Sequence, residues 1–105
     1  MLVSNQTQYS KGDLVSFKLA NGDEIVAEIV DSTTFGWTIK KPCVVVPSQQ
    51  GIGLMQALFT GKVDANMDLS KNSVLLHAET VAELHSHYWK TTTGFEVAPK
   101  ASIAK

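Results

Sequence analysis

The chain has 105 residues, the length of a single domain, and its 44% of hydrophobic residues is ordinary for a globular protein. Nine basic residues, all lysine, stand against ten acidic residues and give a formal net charge of −1. Because no arginine is present to make bidentate contacts with guanine or phosphate, this composition argues against sequence-specific readout of duplex DNA.

The first predicted structure is a β-hairpin that turns at Asn21-Gly22. Both residues tolerate positive φ, so a type I′ turn at this point matches the twist of the flanking strands. Residues 1–10 before the hairpin are predicted to form a loose arm that Tyr9 anchors. The strands alternate, which predicts one continuous apolar face formed by Val15, Phe17, Leu19, Ile25, Ala27 and Ile29.

The middle of the chain predicts further short strands. Residues 37–46 form the third strand, which we expect to be bent or at a sheet edge near Pro42 and Pro47, because proline has no N–H for the ladder. Residues 54–60 are predicted as the next strand. Two short strands, 67–70 and 73–78, are predicted on either side of Lys71-Asn72.

The last predicted element is a helix over residues 80–94. Thr80-x-x-Glu83 has the pattern of a capping box, and Val81, Leu84 and Tyr88 recur at helical spacing. The tail, residues 95–105, is predicted to fray.

Catalytic, metal and membrane functions find no support in the sequence. The lone Cys43 allows no intrachain disulfide and is predicted to be buried. His85 and His87 would point about 200° apart around a helix and so would not share an ion. We therefore expect no enzyme, no metal and no cofactor. With no signal peptide or apolar run of membrane-spanning length, the sequence predicts a cytoplasmic protein without membrane contact.

Two segments resemble the paired motifs of the Sm and Sm-like family, which includes bacterial Hfq. The first runs from Val15 through Leu19-Ala20-Asn21-Gly22 to Ile29, and the second is Leu69-Ser-Lys-Asn-Ser-Val-Leu-Leu76. The resemblance implies an all-β fold, a small five-stranded bent antiparallel Sm-like barrel over residues 11–79, here followed by a short C-terminal helix. It also implies assembly of the chain with itself into a homo-oligomeric ring.

A closer likeness is to small Sm-like proteins of bacteriophages, including cyanophages. Lys40-Lys41-Pro42 and the segment from Tyr88 to Thr93-Gly94 are similar to that group. The likeness implies the host cell cytoplasm as the location.

The chain departs from the family at its base-binding residues. The family's Asp-x-x-Met-Asn run is replaced by Ser32-Thr-Thr-Phe-Gly36, so Gly36 takes the place of the asparagine. The arginine of the second motif is replaced by Ser70, with Lys71 beside it. The family's helix also precedes the barrel, whereas the predicted helix here follows it. Uridine-specific recognition is therefore not expected.

Sm-like geometry would bring the connectors at 31–36 and 70–73 together at the inner rim of a ring. Phe35 and Trp37 would offer aromatic faces for base stacking, which needs no sequence readout. The alternative is that Trp37 fills the barrel core and Phe35 caps an end of the barrel. The remaining candidates are Lys40, Lys41 and Lys71 for phosphates, which could instead be simply solvated, and Thr34, Ser70 and Asn72 for hydrogen bonds to bases or a 2′-hydroxyl.

Two functions remain open from the sequence. The first is a ring that binds single-stranded RNA or DNA with little sequence preference. The second is a structural or protein-interaction module that binds no nucleic acid, which the missing arginine, the net charge and the lost asparagine favour. A ligand-binding barrel is a third and weaker alternative.

Overall fold

A computed structural model of the chain describes residues 9–95, which form six strands and one α-helix. A 3₁₀ turn, Lys71–Ser73, joins the last two strands, and another, Ala82–Leu84, leads into helix α1, His85–Thr93. The predictions for the N-terminal arm and the tail lie outside the described residues, apart from Tyr9, Ser10 and Phe95. The strands are β1 Leu14–Leu19, β2 Glu24–Thr33, β3 Gly36–Ser48, β4 Gly51–Gln56, β5 Met67–Ser70 and β6 Val74–Glu79.

All strand pairs are antiparallel, in the order β4-β3-β2-β1-β6, with β5 also paired to β3. The all-β class with a short C-terminal helix is thus confirmed. The prediction of five strands is wrong, and within residues 9–95 the sheet is not closed into a barrel. The long β3 explains the extra strand, because β4 pairs with its outer half and β5 with its inner half, Gly36 to Ile39. The strand predicted at 54–60 begins and ends earlier, at Gly51 and Gln56.

The predicted hairpin is confirmed, but the predicted type I′ turn at Asn21-Gly22 is wrong. Asn21 does not have the positive φ that this type requires, so the tight turn is centred on Ala20 and Asn21, and Gly22 follows it. Gly22 has a φ of 98°, and its N–H donates to the carbonyl of Leu19 at 2.9 Å. The Asn21 Oδ1 accepts a hydrogen bond from the backbone N of Asp23 at 2.9 Å, which supports the turn from its side chain. The resulting register places Phe17 opposite Ile25.

The sheet has an apolar cluster on each face. One consists of the predicted alternating residues, confirming the apolar face. The opposite face carries a smaller cluster in which Tyr88 of α1 covers Leu14, Val26 and Cys43, so the helix packs directly on the sheet. Cys43 is fully buried, as predicted. The first cluster comprises Val15, Phe17, Ile25, Ala27, Ile29 and Ile39.

Strand β3 bends where the proline predicted it. Lys41, just before Pro42, has a φ of 49°, unusual for a residue with a side chain, and the β2–β3 register shifts at this point. The shift puts the missing N–H of proline at an irregularity of the ladder. The edge alternative fails near Pro42, where β3 pairs with β2 on one side and with β4 and β5 on the other. It holds near Pro47, because the pairing with β2 ends at Val44 and β4 is the one partner of β3 beyond it in the described residues. The Tyr88 hydroxyl holds the bend by donating to the carbonyl of Lys41 at 2.9 Å.

The predicted capping box is wrong. The Thr80 hydroxyl pairs instead with the Ser16 hydroxyl of β1 at 2.8 Å, where Thr80 is buried. A 3₁₀ turn capped by Val81 follows, without a side-chain hydrogen bond, and the α-helix begins only at His85. Val81 is 59% exposed, so of the three predicted helix-face residues only Tyr88 is fully buried.

Candidate nucleic-acid interface

Two connecting turns of the sheet lie against each other. One is the β2–β3 turn at residues 34–35, and the other is the 3₁₀ turn between β5 and β6. The backbone N of Lys71 donates to the carbonyl of Phe35 at 2.9 Å, and Gly36 is paired with Ser70 in the β3–β5 ladder. The fold thus brings the connectors at 31–36 and 70–73 into contact.

Gly36 makes this close approach possible. A Cβ at this position would overlap the carbonyl oxygen of Leu69 and would lie 2.9 Å from the backbone N of Lys71. No side chain therefore fits where the Sm-like pattern has its asparagine. Contact between the two turns takes the space that a base-binding side chain would need.

A cleft of about 350 Å³ opens beside the joined turns. Phe35 projects from the first turn with 79% of its surface exposed, an unusual state for a large apolar side chain. Three of the predicted site residues line this cleft: Phe35, Trp37 and Ser70. The other lining residues are Thr33, Gly36, Asp68 and Leu69.

Trp37 belongs to both the core and the cleft. Its ring lies 5.0 Å from that of Phe17 and makes an edge contact with His77 at 4.8 Å between centroids. The Tyr9 hydroxyl and the His77 Nδ1 are 2.7 Å apart, which fixes the histidine from the other side. Burial, followed by the negative charge of Glu79, raises the pKa of Tyr9. Trp37 is thus a rigid wall of the cleft, and Phe35 is its free aromatic face.

Hydroxyl groups shape both turns and remain able to donate. The Thr33 Oγ1 accepts from the backbone N of Gly36 at 3.0 Å, and the Ser70 Oγ accepts from the backbone N of Asn72 at 3.1 Å. A hydroxyl that accepts from a backbone amide keeps its own proton for another partner. Thr34 and Asn72 are both exposed, each in one of the two turns.

The predicted lysines do not all come together. Lys71 is exposed in the 3₁₀ turn beside the cleft. Lys40 and Lys41 lie at the bend of β3, where their carbonyls accept from Tyr88. Lys40 is four residues from Gly36 along the strand, or roughly 13 Å at about 3.3 Å per residue. Only Lys71 is therefore available to the cleft as a close phosphate contact.

Sequence reasoning missed Asp68. It lies on β5 opposite Thr38, whose Oγ1 donates to the Asp68 Oδ1 at 3.4 Å. The available signal was the alternation of polar Asp68 and Ser70 with apolar Met67 and Leu69, which places the two polar side chains on one face. What could not be read was the partner strand, because β5 pairs with a segment about thirty residues earlier.

The sequence matches no protein-family model and no curated protein. Among the described residues, no helix combines the length and the apolar character needed to cross a membrane. In the same part of the chain, no group of three or more histidine, cysteine, aspartate or glutamate side chains is placed to hold a metal ion.

Proposed function

We propose that this chain is an Sm-like protein, related to those of bacteriophages, that binds single-stranded RNA or DNA as a homo-oligomeric ring in the cytoplasm. The observation that carries the proposal is the cleft at the joined turns. There an exposed Phe35, donor hydroxyls and Lys71 lie within one small surface. Stacking on an aromatic ring contributes roughly 1–3 kcal/mol per base and tolerates any sequence.

The strand arrangement supports the Sm-like part of the proposal. The β1–β2 hairpin comes first, and the strand–3₁₀–strand unit from β5 to β6 comes last. This unit pairs back to both halves of the sheet, β5 with β3 and β6 with β1. The second motif of the resemblance therefore coincides with the unit that connects β3 to β1.

Unpaired strand edges support the ring. Within the described residues β6 pairs only with β1, and its Leu75 and Leu76 are both exposed. β5 likewise pairs only with β3. An exposed apolar edge is a natural place for another copy to add a strand, and a repeated head-to-tail contact closes into a ring when the rotation allows it. Every subunit would then bring its Lys71 to the same pore, so a chain of net charge −1 could still attract phosphates.

The test is a fluorescence-anisotropy titration of labelled oligo-U, oligo-A and single-stranded DNA at low and moderate salt. We expect affinity to fall with salt for all three, and the salt slope to decrease in Lys71→Ala by about 0.7 for each phosphate that the lysine no longer neutralises. Lys90→Ala is the matched control, since Lys90 is exposed on α1, which packs on the opposite face from the first core cluster. Phe35→Ala should weaken binding at every salt concentration without changing the slope.

Ring assembly is tested separately by sedimentation. A closed oligomer should persist on dilution, and replacing the exposed Leu75 and Leu76 with glutamate should dissociate it by adding charge to an apolar edge. If the wild-type chain sediments as a monomer at high concentration, the proposed ring is wrong.

One observation favours the alternative, a protein-interaction module. Residues 42–61 contain no charged side chain, and this segment forms the outer half of β3, all of β4 and part of the following loop. Several of its apolar side chains are exposed, with Phe59 62% exposed. Such a surface is typical of protein contacts. If no oligonucleotide binds at low salt, this alternative is favoured over nucleic-acid binding.

A further inference from the structure

We infer that Asp68 makes the cleft select bases that carry amino groups, guanine above all, and disfavour uracil. This inference rests on the proposed function, because it concerns which base the same cleft takes. Stacking on Phe35 does not distinguish one base from another, whereas Asp68 would add a preference at one base position.

The β3–β5 ladder fixes the place of the carboxylate. Thr38 pairs with Asp31 of β2 on one side and with Asp68 of β5 on the other, so the three residues form a row across the sheet. Two residues along, the next row on that face is Thr33, Gly36 and Ser70. Gly36 has no side chain, and the Leu69 carbonyl oxygen lies where its Cβ would be, so no third side chain stands between the two hydroxyls of this row.

Asp68 has both access and orientation. Its side chain is exposed and lines the cleft with Phe35 and Ser70. The Thr38 hydroxyl donates to the Asp68 Oδ1 at 3.4 Å, which favours one orientation of the carboxylate. A base stacked on Phe35 would therefore present its edge to a surface that contains a carboxylate acceptor.

The chemistry of a carboxylate sets the preference. An ionised aspartate only accepts hydrogen bonds. Guanine offers two adjacent donors on its Watson–Crick edge, N1–H and the N2 amino group, which match the two oxygens of one carboxylate. Cytosine and adenine each offer one amino group. Uracil places its single N3–H between two carbonyl oxygens, and these would face the negative charge. The expected order is guanine, then adenine and cytosine, then uracil.

Phe35 cannot supply this order, because every base has a π-face. Lys71 cannot supply it either, since phosphates are the same in every nucleotide. Of Phe35, Asp68 and the neighbouring Lys71, Asp68 is therefore the one that distinguishes bases by hydrogen bonding.

The experiment titrates labelled RNA pentamers UUGUU, UUIUU and UUUUU against the full-length protein at low salt. Inosine keeps the N1–H of guanine and lacks only the N2 amino group. We expect UUGUU to bind at least about fivefold more tightly than UUUUU, with UUIUU between them. This comparison uses the unchanged protein, so it does not depend on a variant's folding.

Two variants identify the residue responsible. Asp68→Asn replaces one acceptor oxygen with a donor of the same shape, so the preference for guanine over uracil should disappear or reverse. Asp31→Asn removes the same charge from the other end of the row and should leave the order unchanged, because Asp31 does not line the cleft.

Equal binding of the three pentamers to the wild-type chain would overturn the inference and leave the proposed function intact. An order that survives in Asp68→Asn would also overturn it, because the preference would then come from another group. If no pentamer binds even at low salt, the proposed function itself fails, and the inference fails with it.

Discussion

The contact between the two turns depends on one glycine, and Gly36→Ala tests that dependence. In the structure, a Cβ at this position would overlap the carbonyl oxygen of Leu69. It would also come within 2.9 Å of the backbone N of Lys71, which is the group that donates to the carbonyl of Phe35. Because the obstructing atoms are backbone, no side-chain rotation relieves the overlap. β5 and the 3₁₀ turn must move away from β3.

The expected cost follows from these contacts. Overpacking costs typically about 1–3 kcal/mol, and an overlap with paired backbone belongs at the upper end. Breaking the hydrogen bond between Lys71 and Phe35 adds about 1 kcal/mol. For a domain of this size about 1 kcal/mol lowers Tm by roughly 4–8 °C, so a total of about 4 kcal/mol should lower Tm by roughly 16 °C or more. The chain should nevertheless fold, since the free energy of unfolding of a domain is about 5–15 kcal/mol.

The assay is urea and thermal unfolding followed by tryptophan fluorescence, because Trp37 lies beside the altered contact. Gly53→Ala is the matched control: Gly53 is also in a strand, but a Cβ there would meet its nearest atom, the Val46 Cγ2, at an ordinary 3.4 Å. We expect this control to keep the wild-type Tm within a few degrees. Gly36→Ala as stable as Gly53→Ala would refute the argument that backbone contact at Gly36 joins the two turns.

Three further predictions concern the helix, the buried thiol and the hairpin. Tyr88→Phe removes the hydroxyl that donates to the Lys41 carbonyl and should lower the free energy of unfolding in urea by about 1–2 kcal/mol; an unchanged midpoint would mean that this bond does not hold the bend. Burial raises the pKa of the Cys43 thiol to about 12, so on raising the pH the thiol ionises in the unfolded chain before it ionises in the folded one. The contribution of this thiol to the free energy of unfolding should therefore be fully present below about pH 8.5 and be lost as the pH rises toward 12. In Cys43→Ala, urea midpoints measured between pH 8 and 10 should lack this part of the decline, and the same decline in both proteins would contradict the assignment. Gly22→Ala should cost about 1–2 kcal/mol in thermal unfolding because φ at this position is 98°, although a Cβ would meet nothing within 4 Å; an unchanged Tm would mean that the turn readily changes type.

How much of the fold could be predicted depended on how local its cause was. The place of the hairpin turn was predictable because Asn21 and Gly22 both favour turns, but its type was not, since Asn21 lacks the positive φ of a type I′ turn. The register, with Phe17 opposite Ile25, belongs to a longer loop that spans residues 20–22. The bend at Pro42 was predictable for a similar reason, since a missing N–H disturbs the ladder wherever it falls.

Non-local choices were not predictable in the same way. Thr80 begins a sequence with the pattern of a capping box, but its hydroxyl forms a hydrogen bond with the Ser16 hydroxyl of β1 instead. The pairing of both β4 and β5 with the same strand also depends on β3 being long enough to hold both. The sequence named Phe35, Trp37 and Ser70 for the cleft through their motifs, and it missed Asp68 because only the pairing with Thr38 brings that residue there.

Gly36 accounts both for the missing asparagine of the Sm-like pattern and for the position of Asp68 at the cleft. An asparagine at this position would need room that the Leu69 carbonyl occupies, so the side chain that the Sm-like pattern uses cannot be restored here by substitution alone. The same contact draws β5 against the start of β3 and places Asp68 beside Phe35 at the cleft. An amide both donates and accepts, whereas a carboxylate only accepts. The exchange therefore changes which bases the cleft can favour, and Gly36→Asn should unfold or open the turns before it restores a preference for uridine.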